Sequence, residues 1–80
     1  MMNKLQDLMG EAIQVQIVVD ALTDRAHHKV VKGIIKNVSR EFVEVGRPAT
    51  GDEKSQLSAD EVRIIIPMEK IGEVIYGFKG

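Results

Sequence analysis

Residues 29–45 read KVVKGIIKNVSREFVEV, and the fold turns on this stretch. Val30-Val31 and Ile34-Ile35 make one β-branched run with Gly33 inside it, and Phe42, Val43 and Val45 make a second. The polar set Asn37, Ser39, Arg40 and Glu41 separates the two. A lone glycine inside a strand marks a bend or a close approach of another backbone. The stretch therefore predicts a strand bent at Gly33, a short turn and a returning strand, the central hairpin of a small curled barrel. Alternation sets Val31, Gly33 and Ile35 on one face, and Val30, Lys32, Ile34 and Lys36 on the other.

Working outward, residues 11–19 place Ile13, Val15, Ile17 and Val19 on one face and Gln14 and Gln16 on the other, a half-buried first strand. Before it, residues 1–9 carry Leu5, Leu8 and Met9 at helical spacing, with Gly10 where a helix-ending glycine stands. A helix of about two turns is unstable alone, so it is expected to dock as a lid on the barrel. Residues 20–28 (DALTDRAHH) read as a loop, and residues 46–61 (GRPATGDEKSQLSADE) as a long solvated loop between the third and fourth strands. The fourth strand, residues 62–66, holds Ile64-Ile65-Ile66, a run that predicts burial on both faces. Pro67 ends it, because proline has no N–H for a ladder. Residues 67–70 suit one 3₁₀ turn, and residues 71–76 a fifth strand. The expectation is one mainly β domain over residues 1–80: a short N-terminal α-helix, then five strongly bent strands.

Eighty residues bury only about 60% of their unfolded surface, so self-association is a natural source of further burial. The fourth and fifth strands are expected at the edges of the sheet. Ile64, Ile65, Ile66, Ile71, Val74 and Ile75 are too apolar for a solvated edge and are the candidate contact between subunits of a homo-oligomer. Lysine and arginine total 11 against 12 acids, a net charge of −1, so there is no general pull toward nucleic acid or an anionic membrane. No apolar run approaches a membrane span and no signal-peptide core opens the chain, which predicts a soluble, cytoplasmic protein.

With no cysteine, disulfides and thiolate metal sites are out. His27-His28 lies near Asp20 and Asp24, but adjacent strand residues point to opposite faces, so they read as loop histidines rather than metal ligands. Gly46 and Gly51 have phosphate-loop spacing, yet Asp52-Glu53 occupies the places that need lysine and a hydroxyl. Asp52-Glu53 and Asp60-Glu61 sit in hydrophilic sequence, where nothing shifts a carboxyl toward acid–base work. No catalytic residue or cofactor is expected. The charge pattern says more. Arg25, Lys29, Lys32, Lys36 and Arg40 form a stretch without acids, whereas residues 52–61 set four acids against one lysine. Lys29, Lys32, Lys36 and Arg40 are the candidate nucleic-acid contacts, reading phosphate charge. Phe42, Tyr76 and Phe78 are too few to supply much base stacking.

The element order resembles an SH3-like barrel, and with the leading helix it resembles the Sm-like (LSm, Hfq-like) proteins over nearly the whole chain. Val31-x-Gly33-x-Ile35-x-x-Val38-Ser39 is similar to the first Sm motif, and Ile66-Pro67-Met68-Glu69-Lys70-Ile71 falls where the second does. The resemblance implies a homo-oligomeric ring that binds RNA. It also shows departures at the family's uridine pocket: Val43 stands in place of an asparagine, Pro67 of an arginine, Met68 of a glycine and Ser39 of an aspartate. The lysine-histidine pair of Hfq-like members is Glu69-Lys70 here. The resulting expectation is a ring that binds RNA or another polyanion weakly, without that pocket. The alternative is a structural or adaptor small barrel, Sm-like or PRC-like, that offers the 46–61 loop to a protein partner.

Overall fold

The computed structural model describes residues 2–20 and 28–78. Helix α1 (Met2–Glu11) leads into β1 (Gln14–Asp20), β2 (His28–Val38) and β3 (Phe42–Pro48). Helix α2 (Gly51–Leu57), β4 (Glu61–Pro67), a 3₁₀ turn (Met68–Lys70) and β5 (Ile71–Tyr76) follow. The five strands form one sheet in the order β4-β3-β2-β1-β5, every neighbour antiparallel. No pairing joins β4 to β5, so the sheet is open rather than the closed barrel expected, while both strands lie at its ends, as expected.

The core is the inner face of this sheet. Val15 and Ile17 from β1, Val31 and Ile35 from β2, Val43 and Val45 from β3, and Ile66 from β4 are buried there. The register explains why alternation was a reliable guide: Ile17 pairs with Val31 and Val15 with Gly33, so the inward sets coincide across strands. Helix α1 lies against β2 and closes the core with Leu5 and Leu8, both buried. Those two residues are three apart, one helical face. The helix runs through Gly10 rather than ending there. The left-handed position belongs to Ala12, at φ 54°, whose N–H donates to the Met9 carbonyl at 3.2 Å.

Two further expectations need correction. The 46–61 segment is not a plain loop: β3 continues to Pro48, and α2 is fixed by a complete capping box. The Glu53 N–H donates to Thr50 Oγ1, and the Glu53 carboxylate accepts from the Thr50 N–H at 2.9 Å. Ser58, at φ 52°, ends the helix in the left-handed region. Next, the isoleucine run is not buried on both faces of the single chain. Ile66 is in the core, Ile64 is half-buried, and Ile65 points outward with 63% of its surface exposed. The period of two overrides composition, because the outer face of β4 is exposed, with no described residue covering Ile65. β2 also carries a bulge at Lys36, between the pairs Ile35–Val45 and Asn37–Glu44, an irregularity of the kind that bends a strand. Residues 21–27, with Asp24, Arg25 and His27, lie outside the described residues.

Candidate polyanion surface and subunit edges

The cations of β2 do not form one patch. Lys29 and Lys32, both exposed, share a shallow hollow of about 300 Å³ with Val30, Val31, Ile64 and Arg47. Arg47 comes from β3, carried there by the strand's three residues beyond Val45. Its guanidinium is held by a fork of two hydrogen bonds to Glu53 on α2, at 2.7 and 2.8 Å. Such two-point pairing fixes the plane of the guanidinium as well as its position. That hydrogen bond, backed by the Thr50 N–H, pulls the Glu53 carboxyl down to about 2.

Lys36 is spent differently. Its methylene stem lies across Gly46, where an added Cβ would meet it at 3.0 Å, and its charge reaches Glu61. Arg63 hydrogen-bonds both Glu61 and Glu44, the latter at 3.0 Å. Arg63 first, and Lys36 more weakly through its charge, hold the Glu61 carboxyl below its usual range. The acids Glu44, Glu53 and Glu61 are thus partly neutralised within the chain. Arg40 sits in the β2–β3 turn, at the end of β2 remote from Lys29. Of the four expected contacts, the fold joins Lys29 and Lys32, adds Arg47, and separates Lys36 and Arg40. Arg47 was missed because it stands alone between Gly46 and Pro48, in sequence that otherwise reads as loop.

The β2–β3 turn is tied internally and to the 3₁₀ turn. Ser39 Oγ accepts from the Glu41 and Phe42 N–H groups at 3.2 and 3.1 Å, and the Met68 N–H donates to the Glu41 carbonyl at 2.8 Å. Val43 has no exposed surface and cannot touch a ligand. Among the described residues there is no cluster of three or more metal-ligating side chains, and no helix is long and apolar enough to cross a membrane.

The candidate subunit contacts divide as well. Ile66 is committed to the core, while Ile71 and Val74 pack partly against it. Ile65 and Ile75 are left on the outer face. Beside β5, under α1, runs a groove of about 590 Å³ lined by Lys4, Leu8, Glu11, Ile13, Tyr76, Gly77 and Phe78. The Lys4 ammonium stands 5.2 Å from the centre of the Tyr76 ring at its wall. A scan against protein-family models, a search of curated proteins and a search of solved structures each found no match to this chain.

Proposed function

We propose that the chain is a subunit of a homo-oligomeric Sm-like ring, its bent sheet acting as a small SH3-like barrel, that binds RNA or a similar polyanion weakly in the cytoplasm. The observation that carries this reading is the strand order, which leaves two apolar strands, β4 and β5, each with one edge that no described strand pairs, at opposite ends of one sheet. Bare edges of that kind are templates for pairing with another chain. Polyanion binding rests on Lys29 and Lys32, which no acid neutralises among the described residues, beside the fixed guanidinium of Arg47. It is a binding role, with no catalytic residues.

An adaptor role is the second reading, favoured by α2, which buries none of its residues yet is rigidly capped. Leu57 at its end is 60% exposed. Light scattering for subunit number, followed by titration with single-stranded RNA at several salt concentrations, tests the first reading. A monomer at micromolar concentration defeats the ring. An oligomer indifferent to RNA at low salt leaves the adaptor role in its place.

A further inference from the structure

Lys29, Lys32 and Arg47 meet in one hollow, but only Arg47 has its direction fixed by other described groups. A guanidinium carries its N–H groups in one plane, two on each Nη and one on Nε. Arg47 Nη1 donates to Glu53 at 2.7 Å and to the Pro48 carbonyl at 3.2 Å, and Nη2 donates to Glu53 at 2.8 Å. The Nε–H and the second N–H of Nη2 have no partner among the described residues. Those two run parallel along one edge of the plane, a second fork that matches two oxygens of a phosphate.

Arg47 and Glu53 cancel in charge, so the excess charge of the hollow comes from Lys29 and Lys32. An ammonium on a long flexible stem attracts an anion without orienting it. Arg47 supplies the orientation. The pair is also partly shielded from water, with 31% and 25% of the two side chains exposed, which protects the fork from screening by salt.

We propose that Arg47 takes one phosphate of a single-stranded RNA side-on, through Nε–H and the free N–H of Nη2, while Glu53 keeps its own grip. Glu53, an acid, is then a positioning residue for an anion. This rests on the polyanion binding proposed above and adds the contact that orients the strand. A pinned guanidinium has little freedom left to lose, whereas a loose one must be ordered as the ligand arrives. Charge alone gives the opposite expectation, since removing an acid beside the hollow favours phosphate.

The test is the affinity of oligo-uridine for the parent, Glu53→Gln, Asp52→Asn and Arg47→Lys. Glutamine suits the third position of a capping box, so Glu53→Gln breaks the fork and keeps α2. Asp52→Asn removes the same charge from the same helix without touching Arg47. Glu53→Gln is expected to bind about two- to tenfold more weakly, the cost of ordering one long side chain. Asp52→Asn should bind as the parent does or more tightly. Arg47→Lys keeps the charge but loses the fork, and should bind about tenfold more weakly. In nuclear magnetic resonance, the Arg47 Nε–H signal should shift and exchange more slowly when oligo-uridine is added, a change that a purely structural Arg47–Glu53 pair does not produce. Tighter binding by Glu53→Gln overturns the positioning role. An unmoved Nε–H signal, or full affinity in Arg47→Lys, overturns the side-on contact and leaves Lys29 and Lys32 as a plain charge patch. A parent chain that binds no oligo-uridine at low salt removes the polyanion reading and this inference together.

Discussion

Gly33 lies directly on the backbone of Gly46: a Cβ built on Gly33 would stand 2.5 Å from the Gly46 carbonyl oxygen and equally near Val45 Cγ1. Strands β2 and β3 approach there more closely than any side chain allows. Backbone cannot swing aside as a flexible side chain does. Gly33→Val is therefore expected to destabilise the protein by about 2 kcal/mol or more. Denaturant unfolding checks this, and an unchanged midpoint would show that the two strands can part at no cost.

The Arg47–Glu53 fork and the Thr50 cap predict a local effect with a definite pH sense. A carboxyl with its folded-state value lowered to about 2 supports α2 fully above the ordinary carboxylate range and stops doing so as pH falls through about 2. Nuclear magnetic resonance titration of Glu53 is expected to give a midpoint near 2, rising toward the ordinary value in Arg47→Ala. Thr50→Ala should weaken α2 by about 1 kcal/mol, read as faster exchange of its amides. The sheet amides should not change, because α2 contributes nothing to the core.

Leu5 and Leu8 hold α1 to the sheet. Replacing a buried leucine by alanine removes apolar contact and leaves a cavity, so Leu8→Ala should cost about 2–5 kcal/mol. Helical circular dichroism should fall with it, since a helix of 10 residues is marginal without its docking face. Full retention of helix signal with unaltered stability would separate α1 from the core.

Polyanion binding should be blind to sequence and sensitive to salt. Oligo-uridine and oligo-adenine are expected to bind alike, because Val43 is buried and Pro67 has no hydrogen-bond donor to offer. Each phosphate contact on a single strand adds about 0.7 to the slope of log K against log salt, so Lys29→Ala with Lys32→Ala should lower it by about 1.4. Arg40→Ala, remote from that hollow, should leave the slope near the parent value. Uridine-selective binding that ignores salt would point to a base-reading pocket elsewhere.

Much of the fold is legible in the alternation of β1 and β2, because a half-buried strand writes its inner face into every second residue. Ile17 and Val31 could be placed from that rule alone, and the register joins them. What the rule misses is whatever does not repeat. The Thr50-x-x-Glu53 spacing of a capping box stands in the chain, but no apolar period follows it, so α2 was invisible to a search for amphipathic faces. The run of isoleucines at 64–66 has no period of two, so the outward turn of Ile65 shows only once β4 has β3 beside it. Arg47 joins Lys29 and Lys32 through tertiary structure, across a strand pair that separates them by many residues in sequence.

Because α2 is anchored by a cap and an ion pair rather than by burial, the β3–β4 connection should tolerate replacement. A reporter peptide grafted between Ser55 and Gln56 would enlarge an exposed element and displace no core side chain, since the strands that flank it are registered along their full length from Phe42–Pro67 to Pro48–Glu61. Lengthening a surface connection carries only a small, slowly growing entropic cost. The segment between these two strands is thus the place where this small protein can acquire new sequence, and with it new recognition, without relearning how to fold.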